Sequence, residues 1–195
     1  MKYSNIKAII FDFWGVFAKL DPPMNRALED GGIDLDEFNQ KYYNLVIAHD
    51  LGEINEKEFL EKTSEIFGVD LRFEKHRHLF KEDAINHNLI KIVKNLKNKY
   101  KIGLLTNNSE AYCKEFLFKP GLDKLFDEYV LSYQVGKRKP DPEIYLMIAR
   151  KLGMKPQEIL YIDDQENRID PAAELGMETL IYEGEKTNKV LEELL

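Results

Sequence analysis

From about residue 88 onward the chain alternates short, wholly apolar runs with amphipathic ones, and this rhythm constrains the fold more than any other feature. Asn88 to Tyr100 carries Leu89, Ile92, Val93 and Leu96 at helical spacing, and Ile102-Gly103-Leu104-Leu105 follows as a short buried strand. The pattern then predicts a helix over 109–118, a strand over 128–132, and a helix over 142–152 entered through Asp141-Pro142 and stopped at Gly153. A strand over 158–162, a short helix over 171–175, a strand over 178–182 and a closing helix over 188–195 complete it. Strands without polar–apolar alternation are buried on both faces, and strand–helix–strand spacings of this kind are parallel crossovers. The expected class is α/β, a mostly parallel sheet with helices on both sides.

The N-terminal run, Lys7 to Val16, is a further buried strand ending on a carboxylate, Asp12, with a glycine three residues later. A polar, helix-rich stretch follows from about Pro22 to Asp83. In it Phe38, Tyr42, Leu45 and Val46 mark one helix within 36–47, and Asn55 with Glu58 caps another over 55–67 that stops at Gly68. No strand pattern interrupts this stretch. The expected organisation is therefore a core made of 1–16 and 84–195, with 17–83 inserted as a helical unit after the first strand.

With 195 residues, 44% hydrophobic and 32% charged, the chain has the composition of a water-soluble globular protein with one substantial core. Its net charge of -7 argues against a nucleic-acid partner. Basic residues from Lys91 to Lys101 read as a solvated helix face. No apolar run approaches the roughly 20 residues of a membrane helix, and no signal peptide is visible, so no membrane partner and a cytoplasmic location are expected. The single cysteine, Cys113, reads as a packing residue in a reducing compartment. His76 and His78 read as solvated.

Three predicted strands end in polar groups: Asp12 on the first, Thr106-Asn107 on the second, and Asp163-Asp164 on that of 158–162. In a parallel sheet those ends share one edge, where open α/β folds bind ligands. Lys139 arrives at the same edge just before a helix, in Gly136-Lys137-Arg138-Lys139-Pro140-Asp141-Pro142, where Pro140 favours an extended backbone. Lys137 and Arg138 read as surface charges. Such a set suits phosphoryl transfer, which spreads negative charge over phosphoryl oxygens. Lys139 offers a compact cation, Thr106 a hydroxyl, and the N–H groups after it a helix N-terminus. Asp12 and Asp164 offer hard oxygen ligands for Mg2+, and a carboxylate such as Asp12 is also a known kind of nucleophile.

These four motifs, in this order, resemble those of the haloacid dehalogenase superfamily of hydrolases with a helical cap after the first strand, over nearly the whole chain. The resemblance implies a Rossmann-like core, Asp12 as nucleophile, Thr106 and Lys139 as catalytic and substrate-binding groups, Asn107 as a further substrate contact, and Mg2+ on Asp12, Asp164 and the backbone carbonyl of Trp14. The implied activity is hydrolysis of a small phosphomonoester, a sugar phosphate for example, through an aspartyl-phosphate.

Two positions depart from the family pattern. Phosphatases of this family usually carry a second aspartate two residues after the nucleophile, as general acid and base; here that position is Trp14. Arg168 stands four residues after Asp164, where Asp or Asn is common. Trp14 has two readings, packing at the junction of core and cap or forming a pocket wall that stacks on substrate. His49, in a bend between two predicted helices, is either an exposed histidine near a helix end or a cap residue that contacts substrate or donates a proton. Two other functions stay open: a non-catalytic phosphate-binding protein with the same fold, and a metal-independent 2-haloacid dehalogenase, whose relatives carry an aromatic residue where Trp14 stands. Substrate identity, oligomeric state and the role of Asp163 are not set by these residues.

Overall fold

In the computed structural model, the described residues are 3–18, 35–68 and 85–195. The reading of His76 and His78, and the parts of the predicted insert at 19–34 and 69–84, fall outside them. The elements are β1 (Ala8–Phe11), α1 (Leu35–Asp50), α2 (Glu56–Phe67), α3 (His87–Leu96), β2 (Lys101–Thr106), α4 (Glu110–Tyr112, continued as a π-helix over Cys113–Phe118), β3 (Glu128–Leu131), α5 (Ser132–Val135), α6 (Pro142–Leu152), β4 (Ile159–Asp163), α7 (Glu166–Glu174), β5 (Glu178–Ile181) and α8 (Glu185–Glu192).

The strands form one sheet in the order β3-β2-β1-β4-β5, every neighbouring pair parallel. Side chains alternate across it. Ile9 and Phe11 of β1, Leu104 of β2 and Ile162 of β4 pack on one face with Leu89 and Val93 of α3. Ala8 and Ile10, Leu105, and Ile159 and Tyr161 pack on the other with Ile144, Tyr145 and Ile148 of α6. Both faces are covered, which is why these strands read as unbroken apolar runs. Cys113 is fully buried and packs against the first of these clusters.

α6 matches its sequence signals: the Asp141 side chain accepts from the Glu143 N–H, Pro142 opens the helix, and Gly153 closes it. α2 has the expected capping box between Asn55 and Glu58. α1 and α2 pack on each other through Tyr42 and Phe59, with Leu45, Val46, Ile54 and Leu60 around them. One boundary differs in a way that matters. The helix expected at 171–175 starts instead at Glu166, and Pro171 lies inside it. Proline is a start signal because it lacks an N–H, but a helix tolerates one missing bond when its first turn closes without it. Here Arg168 and Ile169 N–H both donate to the Gln165 carbonyl. The earlier start places Arg168 in the first turn of α7, beside the strand end.

Candidate active site

Register assembles the site. Phe11 pairs with Leu104 on one side and Ile162 on the other, so the next residues, Asp12 and Asp163, stand side by side at the C-terminal edge. The Asp12 N–H donates to the Ile162 carbonyl at 2.9 Å, which extends the ladder by one residue. Asp12 continues the Ala8–Ile10 parity and Asp163 the Ile159–Tyr161 parity, so both carboxylates belong to the face that α6 covers. Lys139, which leads into α6, enters between them.

Lys139 is 1% exposed, and its Nζ lies 2.9 Å from Asp12 Oδ1 and 2.7 Å from Asp163 Oδ2. A buried cation is tolerable when paired and hydrogen-bonded, as here. Its backbone is held as firmly. Lys139 N–H donates to Asn107 Oδ1 at 2.8 Å, Asn107 Nδ2 donates to the Lys139 carbonyl at 2.9 Å, and Arg168 Nη1 donates to the same carbonyl. The Lys139–Pro140 peptide is cis.

Asp163, to which the sequence assigned no role, is an anchor for that lysine. Its Oδ2 also accepts from the Tyr161 hydroxyl at 2.5 Å, and its Oδ1 from the Gln165 N–H at 3.0 Å. Burial alone raises its pKa, but the Lys139 charge and these bonds outweigh it, and the carboxyl sits below its ordinary value. Asp12 goes the other way. Burial, reinforced by the neighbouring Asp163 charge, outweighs Lys139 and raises its pKa to about 6. Both contacts that fix Asp12 fall on Oδ1, from Lys139 and from the Phe13 N–H at 2.7 Å, so Oδ2 has no hydrogen bond among the described residues.

Asp164 is exposed and lies against Gly15, whose φ is +79°; a Cβ there would stand 2.1 Å from Asp164 Oδ2. Burial of its carboxyl, then the charge of Asp163, raise its pKa. One oxygen of each of Asp12, Asp163 and Asp164 lies within 4.8 Å of the others, a spacing at which carboxylates can share a cation. With Asp163 engaged by Lys139 and Tyr161, Asp12 and Asp164 are the two that remain for it. The turn after β1 uses the carbonyls of Phe13 and Ala18 in its hydrogen bonds.

Thr106, at the end of β2, is 1% exposed, and its hydroxyl has no partner among the described residues. An orphaned buried hydroxyl beside a carboxylate cluster is a vacant donor. The expectation that the N–H groups after it serve an anion is corrected at two positions. Asn108 N–H donates to Ser132 Oγ at 2.9 Å and Ser109 N–H to Asn108 Oδ1 at 3.0 Å, so the loop satisfies them itself. Asn107, expected to bind substrate, lines the cavity, but its amide is engaged at both ends by the Lys139 backbone.

A cavity of about 370 Å3 opens above Asp12 and Lys139, within the range of small-ligand sites. Trp14 is one of its walls and also packs edge-on against Phe13 and Phe116 of the core, ring centres 5.0 and 5.4 Å away. His49 lines the same cavity. It is 6% exposed, which excludes the reading of an exposed histidine at a helix end. Arg138 also lines the cavity, and the expectation of a surface charge is wrong for it: Nη2 donates to Asp50 Oδ2 at 3.0 Å, with both side chains mostly buried. Lys137 is a surface charge as expected, paired with Asp141. Residue types alone hid Arg138, Arg168 and Tyr161. The Tyr161-x-Asp163 spacing, two residues on one face of a strand, was the available signal for the last.

The sequence model of the haloacid dehalogenase-like hydrolase family matches residues 6–176. The chain is 31% identical over 187 residues to a D-ribitol-5-phosphate phosphatase of Bacteroides thetaiotaomicron, covering 89% of this chain and 90% of that one. It is 27% identical over 183 residues to a phosphorylated carbohydrates phosphatase of Thermotoga maritima, covering 90% and 84%. Among solved structures, an HAD-like family hydrolase of Porphyromonas gingivalis superposes with a TM-score of 0.80 at 26% identity over 98% of both chains. An HAD family enzyme of B. thetaiotaomicron in complex with magnesium and inorganic phosphate gives 0.72 at 26% identity, over 92% of this chain and 95% of that one.

Proposed function

This chain belongs to the haloacid dehalogenase-like hydrolases, and from that premise we propose that it is a Mg2+-dependent phosphatase acting on a small phosphomonoester of the sugar or polyol class, through an aspartyl-phosphate on Asp12. The observation that carries this reading is the state of Asp12, which lines the cavity with its Oδ1 pinned by Lys139 and the Phe13 N–H while Oδ2 has no hydrogen bond among the described residues.

Asp12 Oδ2 attacks phosphorus, the bond to the leaving oxygen breaks, and water then cleaves the aspartyl-phosphate to release phosphate and restore the carboxylate. Lys139 holds Oδ1, which orients the attacking oxygen, and lends positive charge to the phosphoryl group. The Thr106 hydroxyl takes a phosphoryl oxygen as its missing partner. Asp12, Asp164 and the Trp14 carbonyl would hold Mg2+, which supplies the charge that lets a carboxylate approach an anionic phosphate. The donor set suits that ion, which favours one or two carboxylates with phosphate and water oxygens. The same set supports this reading over a metal-independent dehalogenase. Residues 17–83 act as the cap, and Trp14, Tyr42, Tyr43, Phe59 and Tyr112 give the cavity the aromatic walls that suit the apolar faces of a polyol. A non-catalytic phosphate-binding role is the alternative to turnover.

Phosphate release from p-nitrophenyl phosphate and a panel of sugar and polyol phosphates tests this, with Mg2+ or EDTA, for the wild type and Asp12→Asn. Release that needs both Mg2+ and Asp12 supports the phosphatase. Tight phosphate binding without release on any substrate would leave the binding role in its place.

A further inference from the structure

Departure of an alkoxide from phosphorus needs a proton, and position 14, where a carboxylate would supply it, holds a tryptophan with none to give. The groups around the cavity narrow the source. Asp12 is the nucleophile of the proposed reaction. Lys139 is locked between two carboxylates, and Arg138 and Arg168 keep their protons at any relevant pH. Asp50 is paired with Arg138. Burial raises the pKa of Tyr42 and Tyr112, further from neutrality. His49 remains.

Its surroundings are those of a positioned imidazole. His49 stands at the end of α1, 8% exposed in its side chain, with its ring stacked on Phe59 at 4.1 Å between centres and 16° between planes. Nε2 lies 2.9 Å from Oε2 of Glu56, the first residue of α2. The pair is close, but neither carboxylate oxygen of Glu56 nor Nε2 is aligned as a full hydrogen bond, and Glu56 has no other partner among the described residues. With Nε2 turned to Glu56, Nδ1 is the nitrogen left for a ligand, since no described residue bonds it.

We propose that His49 is the general acid–base of this site and that Glu56 is its positioning residue, the two taking over from the carboxylate absent at position 14. This rests on the phosphatase reading and names how that reaction handles its proton. In the first step Asp12 Oδ2 bonds to phosphorus, the phosphorus–oxygen bond to the alcohol breaks with its electron pair, and the imidazolium proton passes to that oxygen. In the second step the neutral imidazole takes a proton from water as the water oxygen bonds to phosphorus. The phosphorus–Asp12 bond then breaks, and phosphate, the Asp12 carboxylate and the imidazolium are restored. Glu56, 2.9 Å from Nε2, orients the ring, as carboxylates commonly orient a working histidine. The other titratable or charged groups near the dyad are Tyr42 and Asp50 on α1, Tyr112 on α4, and Arg138, through its pair with Asp50.

The test compares two leaving groups. p-Nitrophenolate departs without protonation; the alkoxide of glycerol phosphate does not. For His49→Gln and His49→Asn, kcat on glycerol phosphate should fall about 10²–10⁴-fold, while single-turnover release of p-nitrophenolate, which precedes the attack of water and also reports an intact fold, changes by less than about threefold. The limb of the glycerol phosphate pH–kcat profile that His49 contributes should vanish in both variants. Glu56→Gln should lower kcat on glycerol phosphate about tenfold or more with KM unchanged. Equal losses of glycerol phosphate turnover and of single-turnover p-nitrophenolate release, or no loss of either, would overturn the assignment while leaving the phosphatase standing. No Asp12-dependent release from either substrate by the wild type would sink the phosphatase and, with it, this role for His49.

Discussion

Neutralising Asp12 should make the metal-free protein more stable, not less. Burial raises this carboxyl from 3.8 to about 6 although Lys139 lies against it, so the net environment disfavours its charge. That difference corresponds to about 3 kcal/mol at neutral pH. The sign follows from which state lets go of the proton first. Below 3.8 both folded and unfolded chains hold it, and no penalty exists. Between 3.8 and 6 the unfolded chain releases it first, so stability falls as pH rises, and above 6 the whole penalty is in place. Asp12→Asn keeps the geometry: its amide oxygen can accept from Lys139 and the Phe13 N–H where Oδ1 does, and its NH2 falls where Oδ2 has no hydrogen bond. Thermal unfolding in EDTA should show the variant melting higher by about 6–12 °C near pH 7.5, with the gap closing toward pH 4. Mg2+ should raise the wild-type midpoint and narrow the difference, because the ion stabilises the charged form. A variant that melts lower at pH 7.5, or by the same margin at both pH values, would refute the claim that burial dominates at Asp12.

Thr106→Val removes a buried hydroxyl that has no partner among the described residues; the unfolding midpoint should hold or rise, by about 1 kcal/mol at most, while kcat falls about 10²-fold or more. In Gly15→Ala the left-handed φ costs about 1–2 kcal/mol and the new methyl group displaces the Asp164 carboxylate; a Mg2+ titration of activity should show half-saturation about tenfold or more higher. Tyr161→Phe leaves Asp163 with one donor fewer at 2.5 Å and should cost about 1.5–3 kcal/mol in urea unfolding, with kcat reduced less than tenfold because Lys139 keeps both its carboxylates.

The fold was legible because its strands are buried on both faces and its helices carry ordinary caps. Ile102 to Leu105 and Ile159 to Ile162 could hardly be anything but central strands, and Asp141-Pro142 and Asn55 with Glu58 mark helix starts by a mechanism that holds in the structure. The polar strand ends were legible for the same reason: once the strands are parallel, residues just past them share an edge. What escaped was whatever depended on a distance across the chain. Arg168 was placed wrongly in the backbone because Pro171 imitates a helix start. Arg138 looked, with Lys137, like one of two surface cations, and only the approach of Asp50 from α1 makes it an interior one. His49 and Glu56 sit on different helices joined by a bend, and no periodicity says that such a bend brings two side chains within 2.9 Å.

Asp163 shows how far register decides chemistry at this edge. Asp163 and Asp164 are the same residue type one position apart, yet they face opposite sides of a strand end. The first falls on the parity of Tyr161, where a buried hydroxyl and Lys139 hold it charged; the second falls toward Gly15, exposed, with its pKa raised and its carboxylate left for a cation. Slipping β4 by one residue against β1 would turn Ile159 and Tyr161 off the face that α6 covers and carry Asp163 away from Lys139. The site therefore depends on the packing of Ile159 and Tyr161 as much as on the carboxylates. Substitutions that loosen that layer should lower activity before they unfold the protein.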